Sequence, residues 1–398
     1  MSISVNKENI KHFVEEICAR SPRYAGTEGE AKAREYLALT ARTYGIEVEM
    51  EEFEYLHHWP KSSTIETLAP TQDVFDNLPM CYAGSGVAEG EVVYAGAGTK
   101  EEFELLDKLG VEINGKIVLA TTFYTYGAYP LAQQYGAKGF VVITDAPYDL
   151  SRAALATPDH KPGRIPAVLV PAPAGRKILM LANSGKLKLR ITLDGEFSKK
   201  TSANIVMTVP GKAVPDEKVV LTAHYDSHNL GKHAYDDAAG CAVNLELMRV
   251  FGQLKPARTI KAILCGVEEL GFWGSYAYVD KHADELPCIK AVLTSDALMG
   301  SPYDFNLELR ATNELRNFVS NVVKELGHDI KCEADPQPFS DNFPFQSKGV
   351  PAIWLQGENR SIFFHTAKDD PETIDYDKLK LWADINGEIA YRVANEKS

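Results

Sequence analysis

The sequence predicts an α/β protein: a mostly parallel sheet covered by helices in three αβα layers, interrupted by an inserted β-rich segment. Three observations predict it. From Asn204 onward, short continuous apolar runs alternate with helical stretches, which is how strands buried on both faces read. Two helical stretches near the start have no sheet of their own. Between these two regions the texture changes, with Pro60 to Ala95 rich in Pro, Gly and Asn.

Each element follows from its pattern. Over Asn9 to Arg20, Ile10, Phe13, Val14, Ile17 and Cys18 form one stripe at helical period. A second helix is predicted over Glu28 to Tyr44, with Gly45 as its stop. Glu47 to Tyr55 alternates polar and apolar residues and reads as a strand. The middle segment offers K-I-V-L-A-T-T, G-F-V-V-I-T-D and R-I-P-A-V-L-V-P as short strands, with one helix near Leu131 to Tyr135. Strands then recur in N-I-V-M-T-V, K-V-V-L-T-A, T-I-K-A-I-L-C-G, I-K-A-V-L-T-S-D and P-A-I-W-L-Q. The helices between and after them run near Ala238–Leu254, Ser275–His282, Glu314–Gly327 and Asp375–Ala394. The two leading helices must pack on this later sheet. The expected domains are therefore residues 1–61 with 196–398, and an insertion over 62–195.

Bulk properties exclude several functions. At 398 residues, 45% hydrophobic and 24% charged, the chain can bury an ample core. A formal net charge of −13 argues against a nucleic-acid partner and an anionic membrane. No stretch approaches the roughly 18 apolar residues of a membrane span. The six cysteines are scattered without a C-x-x-C pair, and the first residues lack a signal-peptide core. Both observations make a cytoplasmic location the expectation.

Five potential metal ligands stand in a specific order: His224, Asp236, Glu269, Asp296 and His365. Most lie at or just beyond the end of an apolar run, where α/β folds place their chemistry. Two imidazoles and three carboxylates suit two zinc ions, and with one hydroxide the formal charges sum to zero. Asp226, two residues after His224, could hold that imidazole's other nitrogen. Glu268 and Glu269, adjacent and extended, point in different directions. One can bind metal while its neighbour faces the water as a general base. Asp237 reads as a helix N-terminal acid, and Asp341 as either a helix N-terminal acid or a support for the site. Cys241 and Cys265 read as core thiols, and His228 and His233 as solvated loop residues near the site.

The motifs A-H-Y-D-S (223–227), Y-D-D-A-A-G (235–240), V-E-E-L-G-F-W-G-S (267–275), S-D-A-L-M-G (295–300), S-D-N-F-P-F (340–345) and F-H-T-A-K-D-D (364–370) carry a resemblance. Together with S-P-R-Y-A-G-T-E-G (21–29), they resemble the M28 family of zinc aminopeptidases, which have a zinc-exopeptidase-like fold. The middle segment resembles the protease-associated (PA) domain that some members insert. The resemblance implies that His224 and Asp296 hold one zinc, Glu269 and His365 the other, and Asp236 bridges them. It also implies Glu268 as the general base and Asp226 as the partner of His224. One departure is the approach to Asp236, where N-L-G-K-H-A-Y stands in place of the P-G-A of many relatives. The expected function is a dizinc aminopeptidase acting on short peptides. The alternatives are a dipeptidase, carboxypeptidase or other amide hydrolase on the same site, or a non-catalytic binding module. A carboxypeptidase needs a basic clamp. Arg360, with Glu358 nearby to neutralise it, and Arg310 are the available candidates.

Overall fold

The computed structural model describes residues 3–396 apart from 149, 158, 186, 299–306, 331, 333, 358 and 359. Met299 and Gly300 of the S-D-A-L-M-G motif, and Glu358, therefore lie outside the described residues. The chain divides into two units: Met1–Tyr55 with Thr201–Ser398, and Leu56–Lys200. The sequence sets its boundaries at 61/62 and 195/196. The structural divisions instead fall inside two long strands, Glu47–Ala69 and Lys188–Val209, so no turn marks them in the sequence.

In the larger unit the strand order is Leu307–Ala311, Ala352–Gly357, Ile289–Thr294, Val214–His224, Arg258–Cys265, then the C-terminal part of Lys188–Val209. The four inner strands pair in parallel. Antiparallel pairings close both sides, Leu309 against Leu355 and Ile263 against Val206. Leu307–Ala311 was not expected from the sequence, because its run, N-L-E-L-R-A, is short and half polar. Register aligns Cys265 with His224 and Thr294 with Thr222, so three parallel strands end side by side.

Both faces of this sheet are covered. Val206, Val220, Ile263, Val292 and Ala352 form one core with Tyr278, Val279 and Phe345. The alternate residues Val219, Leu221, Ala262 and Leu264 are buried as well, as the period of two requires. Helix Lys7–Cys18 packs on Ala239–Leu254 and Tyr376–Asn395, while Trp273–Lys281 packs on Asn342–Gln346. The N-terminal helices thus belong to the later sheet, as their lack of one predicts. Lys7–Cys18 buries the stripe Ile10, Phe13, Val14, Ile17 and Cys18, and Asn6 caps it by accepting from Glu8 N at 2.9 Å.

The smaller unit is built on four parallel strands, Gly86–Tyr94, Ile117–Thr121, Gly139–Ile143 and Ala167–Val170. It has three α-helices where the sequence suggested one: Lys100–Lys108, Thr125–Gln134 and Ala172–Asn183. The first carries a capping box, Thr99 with Glu102, a signal that T-K-E-E displays. The third is masked by Pro171 and Pro173 at its start. Inside this unit His58 is fully buried, stacked on Phe197 at 4.4 Å, and its Nδ1 accepts from Tyr82 N at 2.9 Å. Burial holds its pKa down at about 4, with His57 adding to the effect.

Candidate metal centre

The carboxyl ends of the parallel strands carry the predicted ligands. His224 is the last residue of its strand, Glu268 and Glu269 follow Arg258–Cys265, and Asp296 follows Ile289–Thr294. Asp236 lies in the turn Ala234–Ala238 that leads into helix Ala239–Leu254, and His365 in the loop before the last helix. Tight backbone packing fixes that helix entry. A Cβ on Gly240 would stand 1.7 Å from Ser295 O, so only glycine fits there.

The five side chains converge. The two oxygens of Asp236 face two different imidazoles, Oδ1 at 2.9 Å from His224 Nε2 and Oδ2 at 2.9 Å from His365 Nε2. Glu269 Oε2 stands 3.5 Å from His365 Nε2, while Asp296 Oδ1 and Glu268 Oε2 each stand 3.9 Å from His224 Nε2. The two adjacent glutamates therefore face opposite halves of the cluster. Donor atoms of His224, Glu268 and Asp296 form one compact group, and those of His228, Glu269 and His365 another.

Electrostatics make this cluster a cation site. Burial and the neighbouring Asp236 push the Asp296 carboxyl up to about 7, and burial drives Glu268 well above the usual carboxylate range. Burial also opposes ionisation of Glu269, but the His228 and His365 imidazoles hold it down at about 2. Glu269 Oε1 is buried without a hydrogen-bond partner in the protein. Oxygen and imidazole donors with unspent lone pairs are what zinc takes, so the residues present fit the metal.

Several supports were only partly legible. Asp226 sits 3.7 Å from His224 Nδ1, beyond hydrogen-bonding distance, and its backbone oxygen at 3.3 Å is the nearer partner. Its carboxylate instead accepts from Glu268 N at 2.9 Å and Glu269 N at 3.2 Å, clamping the glutamate pair. Asp237 accepts from Gly240 N, as a helix N-terminal acid should, and also from His224 N. Asp341 makes no helix-capping bond. It is fully buried, and burial pushes it up to about 6. Cys241 and Cys265 are buried thiols, as expected.

His228 and His233 correct the sequence reading, since both are buried rather than solvated. The sequence analysis also missed two clamps. Asp369 accepts from Tyr235 N at 2.8 Å and Asp236 N at 3.2 Å, aiming the Asp236 carboxylate. Arg23, fully buried, donates to the backbone oxygens of Tyr225, Lys232 and His233 at 2.7, 2.6 and 3.1 Å. Both lie in motifs that carried the resemblance, K-D-D and S-P-R-Y, but nothing in the sequence says which backbone they hold. Strain concentrates here as well. Val267, a β-branched residue, has φ 62°, and His233, Phe272, Ala297 and His365 are also left-handed.

Residues 204–390 match the model of peptidase family M28, and residues 84–178 match that of the PA domain. The larger unit therefore carries a peptidase family M28 domain. The aminopeptidase YwaD of Bacillus subtilis is 26% identical over 413 residues, covering 95% of this chain and 83% of that protein. Human carboxypeptidase Q is 23% identical over 395 residues, covering 94% and 82%. Among solved structures, the zinc aminopeptidase BSAP of Bacillus subtilis superposes with a TM-score of 0.79 at 21% identity, covering 100% of this chain and 97% of that one. An M28 peptidase precursor from Shewanella amazonensis gives 0.81 at 22%, covering 98% and 93%. At these identities the structures speak for the fold. The M28 match begins where the second crossing into the larger unit is complete, and the PA match falls wholly within the smaller unit.

Proposed function

We propose that this M28 chain is a dizinc aminopeptidase that removes N-terminal residues from short peptides. The observation that carries the two-ion reading is Asp236. Its two oxygens stand at equal distance from His224 and His365, the arrangement of a carboxylate shared between two cations. His224 and Asp296 would hold one ion, and Glu269 and His365 the other. Bound zinc would supply Lewis acidity toward the scissile carbonyl and an acidified water. Glu268 takes the proton of the attacking water and delivers it to the leaving amine. Asp226 keeps Glu268 in place by holding its backbone N–H. Asp369 and Arg23 fix the loops that present Asp236 and His224.

Polarity follows from charge. Asp236 and Glu269, the carboxyls of the cluster that its imidazoles hold ionised, favour an ammonium and disfavour a substrate carboxylate. Of the basic candidates for a carboxylate clamp, Arg23 and Arg310 are engaged elsewhere. Arg23 is spent on backbone oxygens, Arg310 pairs with Glu308 at 2.7 Å, and the Arg360 guanidinium lies over the Phe364 ring at 4.8 Å. The last contact favours the second reading, a carboxypeptidase or dipeptidase, because Phe364 itself stacks on His365 at 3.8 Å. The resemblance to YwaD supports the aminopeptidase. A cytoplasmic location is part of the proposal, supported by six free cysteines.

The test is one tripeptide in three forms: free, N-acetylated and C-terminally amidated. An aminopeptidase cleaves the free and amidated forms and spares the acetylated one. Cleavage of the acetylated form with loss of the amidated one would establish the carboxypeptidase, and Arg360→Ala should then abolish that preference.

A further inference from the structure

The half of the cluster around Glu269 holds more imidazole than the bridged five-ligand set accounts for. His228 is 2% exposed, and its Nε2 lies 2.8 Å from Glu269 Oε2. Its ring meets His365 edge-on, centroids 4.5 Å apart at 84°. Donor atoms of His228, Glu269 and His365 all fall within 4.8 Å of one another. Zinc–nitrogen and zinc–oxygen bonds of about 2.0–2.1 Å put neighbouring donors roughly 2.9–3.4 Å apart. The separations here, 2.8 Å for His228–Glu269 and 3.5 Å for His365–Glu269, bracket that range closely.

A second, independent observation points the same way. His233 is fully buried in a left-handed backbone at φ 50°, and neither ring nitrogen has a hydrogen-bond partner. Its donor atom is within 4.8 Å of Asp236 and Glu269. A buried polar ring left unpaired costs about 1–3 kcal/mol unless a cation or donor meets it. Both histidines come from the N-L-G-K-H-A-Y approach and its flank, the stretch in which this chain departs from many M28 relatives.

We propose that His228 is a direct protein ligand of the Glu269–His365–Asp236 centre, which gives this chain two unlike metal sites. The His224–Asp296 centre has one imidazole and oxygen donors; the Glu269 centre has two imidazoles. Imidazole suits zinc, copper and nickel better than it suits magnesium or manganese, so the Glu269 centre holds its ion more tightly and more selectively. This rests on the dizinc reading above. A competing account keeps His228 as a hydrogen-bond donor to Glu269 that never touches metal.

The deciding measurement uses the full chain with cobalt in place of zinc. Proton spectra of the cobalt protein show one strongly shifted exchangeable imidazole N–H for each coordinated histidine. Three such signals are expected, from His224, His228 and His365; two would overturn the proposal. A chelator titration of the zinc protein, with metal per chain measured, supplies the second test. Two release steps are expected, and His228→Gln and His228→Ala should each weaken the tighter one by at least about 100-fold, the upper end for an outer-shell partner. Glutamine keeps a hydrogen bond to Glu269 but is a poor zinc ligand. Full affinity in His228→Gln would therefore sink the ligand role. A wild-type chain that takes up no zinc would instead sink the metallopeptidase reading.

Discussion

Replacing Asp226 by asparagine separates two ways in which that residue could serve the site. Its carboxylate accepts two backbone N–H groups, from Glu268 at 2.9 Å and Glu269 at 3.2 Å, and is wholly buried. Asparagine offers one oxygen and one amino group, so one N–H loses its acceptor and faces a donor. A buried N–H left unpaired costs about 1–3 kcal/mol, and weakening the remaining charge-assisted bond to a neutral one costs about 1 more. The expected loss is therefore about 2–4 kcal/mol. At about 2–4 °C per kcal/mol for a domain of this size, the melting temperature should fall by roughly 5–15 °C. Calorimetry with excess chelator is the assay, because metal then contributes nothing to either protein. If Asp226 acted instead by fixing the His224 ring, 3.7 Å away, the metal-free proteins would melt together and only the zinc-loaded ones would differ. That outcome would refute the clamp.

Three further outcomes are expected. Glu268→Gln should keep both zinc ions and lower turnover by about 10²–10⁴, the usual general-base range; loss of zinc would instead make Glu268 a ligand beside His224 and Asp296. Asp236→Asn should weaken both metal steps in a chelator titration, whereas Asp296→Asn should weaken chiefly one; native affinity at both sites in Asp236→Asn would remove the bridge. In the smaller unit, His58 has a folded pKa of about 4, below the ordinary 6.5. The unfolded chain therefore binds the proton more readily, and the stability due to neutral His58 is complete above about 6.5 and lost as pH falls toward 4. The loss should reach about 2 kcal/mol at pH 5, read as faster hydrogen exchange in residues 56–200. His58→Asn, which keeps an acceptor for Tyr82 N, should flatten that dependence.

Periodicity made the larger unit legible because its strands are buried on both faces and helices such as Lys7–Cys18 and Asn313–Glu325 on one. The two patterns differ in sequence, and Lys7–Cys18 buries the very residues its stripe marks. Elements that lack such a contrast were missed. Leu307–Ala311 pairs only at the edge, and Asn342–Gln346, a single short helix closed against Trp273–Lys281, was signalled only by the reading of Asp341 as a helix N-terminal acid. Helix Ala172–Asn183 begins between prolines, which in isolation read as a break. The unit boundaries escaped for another reason. A strand that runs through a division keeps one pattern on both sides, so Tyr55 and Leu56 look alike to any local rule.

The site divides along a different line. Most of the candidate ligands were legible because they are donor types at or just beyond the end of an apolar run, and strand ends can be counted. Their supports were not, because a support is defined by the backbone it meets. Arg23 reaches three backbone oxygens of the His224–Asp236 segment from a loop about 200 residues earlier in the chain. Asp369 reaches back in the same way to Tyr235 and Asp236. The left-handed residues explain why such distant clamps are needed. Val267, His233 and His365 hold conformations costing of order 1–3 kcal/mol each, and local sequence would let them relax. Arg23 holds His233 through its backbone oxygen, and Asp226 holds the backbone just after Val267. The geometry that brings His224 and His365 to opposite oxygens of Asp236 is thus a property of the whole larger unit, written partly in residues such as Arg23, whose own motif carries no ligand.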